Sequence, residues 1–295
     1  MVDQATRFIA AVMMGIAAFF GFVWTIYIVG VAVTSGVSDI TTFTAIGCFR
    51  AAANLFAICG YLYWELPCTV FGRRGIDVRI NHFVTTTMAN MYTISQIMLL
   101  LQVLDRIFIY TIRKHYTRYV SPIVIAVIFS ALVGWRIYVV MNIYEDGCLL
   151  IYDEETLGWV MYPERCQGYF YAGDLLTANV VLYSGVVLHI ICIVIIVFFK
   201  AMRKGSSQKI RQTDVILYIQ TVLQQLLFVI DLSCMVYVSP KVAEIPILGF
   251  VCLTYTGELV HVFDGFFMLL FQQKLLEPVK KLFNKEKRTT TMLFL

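Results

Sequence analysis

What this sequence has least of is charge. Asp, Glu, Lys and Arg together make up 14% of its 295 residues, where a soluble domain carries about 25%. The few charges are clumped, long stretches carry none, and a soluble globular fold is excluded. Other features are missing too. Short segments of alternating polarity, the mark of a membrane β-barrel, do not occur. His82, His115, His189 and His261 lie far apart, and no Cys/His cluster has metal-ligand spacing, so no metal or other cofactor is expected. The net charge of +4 is too small to point to nucleic acid, and the basic residues sit in short loops. The first apolar run is too long for a secretory signal and no small-residue cleavage site follows it, which reads as a retained signal-anchor span. No repeat, linker or second domain interrupts the chain.

What is present instead is apolar length. Hydrophobic residues make up 60% of the chain and the mean hydropathy is +0.78. Apolar runs of about 18 or more residues read as membrane-spanning helices, because nothing shorter crosses ~30 Å of hydrocarbon as a helix. Seven spans are placed at 8–34, 44–66, 84–108, 120–142, 175–199, 215–238 and 245–271. The expected fold is all-α: a seven-transmembrane helix bundle over residues 1–271 in the lipid bilayer, followed by a cytoplasmic tail over 272–295. Leu275, Leu276, Val279, Leu282 and Phe283 recur at helical spacing with lysines between, so a short amphipathic helix on the inner leaflet is expected after the last span. Lys and Arg set the orientation, since cytoplasmic loops are enriched in them. With the N-terminus outside, fifteen face inward and six outward. The basic outer loop at 73–79 runs against the rule locally, but the totals favour N-outside.

In hydrocarbon a charged side chain costs at least ~2.5–3.5 kcal/mol on insertion scales, so it faces the protein interior or water. Thr254, Glu258, His261 and Asp264 fall on one face of span seven. Each could be part of an interhelical hydrogen-bond network; as a stripe they read as a polar switch or ligand contact. Span six carries Gln220 and Gln224 one turn apart, and Asp231 in its outer half. Span three offers Asn90, Thr93 and Gln96 at the same depth, either lining a pocket or joining helices. Candidate ligand contacts are therefore Asn90, Thr93, Gln96, Asp231 and Glu258. At the inner end of span three, Arg106 either snorkels to water or is latched by an acid on another helix until the bundle opens. Asp214 is the available acid. Asp105 is the poorer partner, because adjacent helical residues do not face each other. The candidate switch residues are Asp105, Arg106, Asp214, His261 and Asp264.

Of eight cysteines, Cys68, Cys148 and Cys166 lie at or beyond the outer boundary, where disulfides persist. The expected bridge is Cys148–Cys166, which would fold the acidic loop between spans four and five over the mouth of the bundle. A competing pairing joins Cys68 to one of them, which would tie span two to the loop.

The ordered motifs resemble the nematode seven-transmembrane serpentine chemoreceptors, most closely the Srx class. They are Glu65-Leu-Pro67 closing span two, Asp105-Arg106 ending span three, and Gly147-Cys148-Leu-Leu-Ile-Tyr152-Asp153 with Trp159 and Cys166 in the outer loop. Tyr218-Ile-Gln220-Thr-Val-Leu-Gln224 follows in span six, then His261-Val-Phe-Asp264-Gly265 with Phe271 in span seven. Relatives usually have Asn-Arg where this chain has Asp105-Arg106, and Phe-Asn where it has Phe271-Gln272. The resemblance implies a G-protein-coupled chemosensory receptor at the plasma membrane, binding an extracellular small molecule or peptide and signalling to a heterotrimeric G protein. The alternative is a secondary transporter or channel subunit with Glu258 and Asp264 as proton or ion relays; paired broken half-helices, which that would call for, are missing. An intramembrane enzyme would need convergent zinc ligands or a catalytic dyad, for which one His–acid stripe is too sparse.

The inner basic loops are the expected G-protein contact, with Arg113 and Lys114 after span three and Arg203, Lys204 and Lys209 after span five. Charge reversal at Arg203, Lys204 and Lys209 together should abolish signalling while surface expression and ligand binding persist. Unchanged second-messenger output at normal expression would remove this contact.

Overall fold

The computed structural model describes residues 2–34, 41–72, 77–119, 122–145, 147–166, 175–202, 212–242, 244–272 and 275. Seven helices account for most of them. α1 is Gln4–Thr34, α2 Thr42–Phe71, α3 Val78–Tyr119, α4 Pro122–Glu145 and α5 Leu176–Met202. α6 starts as Gln212–Ser233 and continues through Cys234–Val238 to Ser239–Val242, and α7 is Pro246–Phe271. Six are long and apolar enough to cross a membrane. The other, α4, has a shorter apolar stretch, Ile123–Val139. Its 24 residues still span about 36 Å at ~1.5 Å per residue.

Polarity is inverted relative to a soluble protein. Phe8, Ile16, Phe19 and Val23 of α1, and Ile190 and Val194 of α5, point outward, where lipid is as apolar as a core. Arg50, Asn54, Glu65, Gln102, Glu258, His261 and Asp264 are all buried. α1 packs on α2 and α7, and α2 packs on α3.

Three helices widen into a single π turn: Tyr61–Glu65 in α2, Cys234–Val238 in α6 and Val251–Tyr255 in α7. Two have a common cause. Pro67 and Pro240 each stand two residues past the end of their π turn. A proline ring clashes with the carbonyl four residues back and leaves it without an N–H. Widening the preceding turn relieves the clash without breaking the helix.

The loop after α4 is not all irregular, as an all-α reading expects. It holds an antiparallel hairpin, β1 Leu149–Asp153 and β2 Gly158–Tyr162, with Leu149 opposite Tyr162 and Asp153 opposite Gly158. Its signal was the run of Leu, Ile, Tyr, Trp and Val flanking a polar turn, overlooked among the acids. Cys148 and Cys166 close its two ends with a disulfide, Cα–Cα 5.6 Å, the pairing expected from sequence; Cys68 is buried and takes no part in it.

Helix side chains dock the hairpin. Asn81 Nδ2 donates to the Tyr152 carbonyl at 2.9 Å, and Tyr152 N donates back to Asn81 Oδ1 at 3.1 Å. One amide side chain of α3 thus satisfies both backbone groups of a residue in β1, as a neighbouring strand would. Leu150 N donates to His82 Nδ1 at 3.0 Å, the Tyr152 and Thr69 hydroxyls share a hydrogen bond of 2.7 Å, and Thr254 Oγ1 donates to the Leu157 carbonyl at 2.7 Å. Burial and the nearby Glu65 push the Tyr152 phenol well above its ordinary pKa. Leu157 plugs the bundle against Met14, Ala18 and Phe250.

The bridge limits the unfolded chain across a sequence separation of 18, worth ~3 kcal/mol by loop-closure entropy. Cys148→Ser with Cys166→Ser should lower the thermal midpoint of the purified protein by roughly 5–10 °C. A midpoint equal to wild type, measured without reductant, would show that the docking bonds alone hold the hairpin.

Candidate functional site

Two polar centres occupy the interior, one above the other. The deeper one joins α2, α3 and α7. Arg50 and Asn54 are one turn apart on α2, and His261 and Asp264 are three residues apart on α7, so each pair shares a face. Arg50 Nε donates to Asp264 Oδ2 at 2.8 Å, and Nη2 pairs with Oδ1 to complete a two-point ion pair. Arg50 Nη1 donates to Gln102 Oε1 of α3 at 2.6 Å. Asn54 Nδ2 donates to Asp264 Oδ2 at 2.5 Å, which turns the Asn54 oxygen toward His261 Nδ1, 2.8 Å away. That nitrogen must therefore carry the proton. From α6, Gln224 Nε2 donates to the Asp264 carbonyl at 3.2 Å. Four helices meet around the Arg50–Asp264 pair.

The upper centre is a cavity beneath the hairpin, among α2, α3, α5, α6 and α7. Leu175, Ala178, Leu232, Met235 and Leu253 supply apolar wall, while Tyr61, Tyr92, Thr93, Trp159 and Asp231 supply polar groups. Each π turn contributes one lining residue: Tyr61, Met235 and Leu253. Tyr92 Oη donates to Asp231 Oδ2 at 2.6 Å, and Trp159 Nε1 donates to Glu65 Oε1 at 2.5 Å. At Gly257 the helix comes close to these groups: a Cβ would lie 3.3 Å from Tyr61 Oη, so the phenol would have to give by a few tenths of an ångström, and 3.7 Å from Asp231 Oδ1, an ordinary contact. The His261 ring separates the two centres, 5.8 Å from the Tyr92 ring and 6.4 Å from the Tyr61 ring.

The family described as serpentine type 7TM GPCR chemoreceptor Srx matches residues 16–272. The chain belongs to this family. It is a G-protein-coupled receptor of the chemoreceptor kind, and neither the family nor the fold favours the transporter alternative. Among solved structures, the crystal structure of squid rhodopsin matches with a TM-score of 0.68 and 9% identity, covering 96% of this chain and 87% of that one. At that identity the likeness concerns the fold alone. No curated protein matches the chain by sequence.

The receptor's residues singled out from sequence fall in different places. Thr93 and Asp231 line the cavity. Asn90 lies outside it, its Oδ1 accepting from Arg136 Nε of α4 at 2.7 Å. Gln96 is buried in the bundle. Glu258 is buried beside Glu65 and Tyr61, behind the cavity wall. His261 and Asp264 belong to the deeper centre. Arg106 meets the neighbour judged the poorer partner from sequence: its Nη2 lies 2.7 Å from Asp105 Oδ2. Both are buried, and the guanidinium stands 4.3 Å from the centre of the Phe43 ring. With water excluded, a long flexible arginine folds back onto the carboxylate at hand, which the 100° between adjacent side chains does not prevent. The side chains of Asp214, Arg113 and Lys114, and all of Arg203, Lys204 and Lys209, lie outside the described residues, as does the proposed tail helix past Leu275.

Sequence reasoning passed over Arg50, Asn54, Gln102, Tyr61 and Glu65 as site residues. A signal existed for Arg50: a guanidinium in mid-span demands an acid in another span, and Asp264 was already in view.

Removing one member of a buried ion pair costs about 3–5 kcal/mol, whereas an apolar replacement of both is often neutral. Arg50→Met alone and Asp264→Leu alone should each lose surface expression and detergent stability. The double variant should regain much of both. A double variant no better than the worse single would mean that the centre works as a larger network.

Proposed function

We propose that the receptor takes a small extracellular molecule into the cavity beneath the hairpin, at the plasma membrane with its N-terminus outside. Binding shifts a two-state bundle so that the inner face opens to a heterotrimeric G protein. The observation that carries this reading is the stacking of the two centres. A ligand touching Tyr61 or Tyr92 stands one ring from His261, and His261 hydrogen-bonds to Asn54, which holds Asp264. Any change in how α6 and α7 approach α2 and α3 must break or remake bonds at Asp264. An interior of directional bonds has discrete arrangements rather than a continuum, which suits a switch.

In this reading Thr93 and Asp231 touch the ligand. Asn90, Gln96 and Glu258 hold the helices that shape the cavity. Asp105, Arg106 and Asp214 set the resting state at the inner end. Arg113, Lys114, Arg203, Lys204 and Lys209 meet the G protein, a role supported by their inward position under the positive-inside rule.

Expressed with a panel of Gα subunits, the receptor should stimulate nucleotide exchange when an activating molecule is found. Ala89→Trp, which fills the cavity from α3, should reduce that response at least tenfold with surface expression preserved. An undiminished response would move the ligand site elsewhere.

A further inference from the structure

The cavity end of the interior is acidic and has no counter-charge. Glu65, Glu258 and Asp231 all lie near enough to the Tyr61 phenol to act on it electrostatically. Each is almost wholly buried, at 0%, 0% and 4% exposure. Among the described residues no Lys or Arg reaches any of them; the arginine ion pairs are spent on Asp264 and Asp105. Glu65 Oε2 has no hydrogen-bond partner among the described residues, and no side chain among them hydrogen-bonds Glu258. Three carboxyl groups this close in a low-dielectric interior cannot all ionise without a cation, and leaving an ionised one uncompensated is costly. Asp231 faces the cavity itself.

We propose that the ligand is an organic monocation, a small amine carrying its positive charge on nitrogen, bound with the charge against Asp231. The inference rests on the cavity being the receptor's ligand site. The aromatic surroundings fit this class: Tyr61 and Tyr92 both line the cavity, and a ring face attracts an ammonium within ~6 Å. Tyr92 donates its hydroxyl to one oxygen of Asp231 and Thr256 bonds the same carboxylate, which fixes it at the cavity wall, where its remaining lone pairs can accept from an N–H of the ligand. Leu232, Met235 and Leu253 then receive the carbon skeleton. A bare metal ion fits poorly, since no three His, Cys, Asp or Glu among the described residues converge closely enough to hold one.

The test compares probes of one shape and different charge on the full-length chain in lipid nanodiscs. These are 2-phenylethylamine, 2-phenylethanol and 3-phenylpropionic acid, with phenyltrimethylammonium as a permanent cation. Thermal protection of the receptor is measured without G protein, so the outcome does not depend on coupling. The amine should protect at a concentration at least tenfold lower than the alcohol or the acid. Asp231→Asn should remove that preference, and Tyr92→Phe should weaken it. Equal protection by alcohol and amine, preference for the acid, or no protection by either cation up to millimolar concentration would overturn the inference. So would an unchanged preference in Asp231→Asn; if that variant does not fold, the wild-type ranking decides alone. Nucleotide exchange is scored separately. Exchange driven by neutral molecules leaves the receptor reading standing and sinks the amine. Amine protection abolished by Ala89→Trp, without exchange on any Gα, does the reverse.

Discussion

A guanidinium halfway along a membrane helix has few ways to exist. It can snorkel to an interface, draw in water, or find an acid that shares its depth. Arg50 takes the third course, and the rest of the interior is arranged around that choice. Meeting Asp264 with two contacts sets the rotation of α2 against α7. The pair's remaining polar atoms bring in Asn54 and, from α3, Gln102; Asn54 in turn holds His261, and Gln224 of α6 donates to the Asp264 main-chain carbonyl. In lipid the apolar faces of helices gain little by meeting one another, because the tails outside are equally apolar. Directional bonds at the centre therefore carry more of the burden of specifying one packing than they would in a soluble bundle, where the hydrophobic effect does most of the gathering.

Above that centre the architecture loosens. Three π turns swell three helices at the cavity, two of them forced by a proline placed two residues later. Each swelling interrupts regular packing and turns one side chain into the space between helices. The cavity is thus a consequence of local backbone chemistry in α2, α6 and α7. Over it lies a lid built as a β-hairpin. The disulfide closes the hairpin on itself, and docking falls to hydrogen bonds: Asn81 and His82 on α3, Thr69 and Glu65 on α2, Thr254 on α7. A lid held by several moderate bonds can admit a ligand by giving up a few of them, which a covalent tie to the bundle would resist. Trp159 belongs to both parts, lining the cavity while its indole N–H bonds Glu65.

Membership of the serpentine chemoreceptor family and a rhodopsin-like fold say what kind of molecule this is. The chemistry of the cavity says what distinguishes it. A cavity lined by Asp231, with Glu65 and Glu258 buried behind it, sits a single ring away from the charge pair that orders the bundle, so a cation entering it would alter the field at His261 and, through Asn54, at Asp264. Short distances matter here, since electrostatic terms are large where water is excluded.

The amino-acid sequence by itself determined the membrane, the number of spans and the uneven share of basic charge between alternate loops, and it narrowed the disulfide to three cysteines beyond the span ends; that Cys148 takes Cys166 and leaves Cys68 out was decided by the fold. The former follow from properties that sum along the chain: apolar length against bilayer thickness and charge against the insertion rule. The family motifs were legible for the same reason, being local and ordered. The stripe Thr254–Glu258–His261–Asp264 was visible as a helical face, but what faced it was not. That Asp264 meets Arg50 while Glu258 sits beside Glu65, that Asn90 turns to Arg136 and away from the cavity, and that Arg106 folds back onto Asp105 were decided by tertiary structure alone. All but the last depend on the rotation and depth of one helix relative to another, set by packing at the core, and the last on burial of two adjacent residues of α3 away from water. A shift of one residue along a helix turns a side chain by ~100°, more than enough to exchange a cavity for a neighbour, and no periodicity within a single span records which of these it meets.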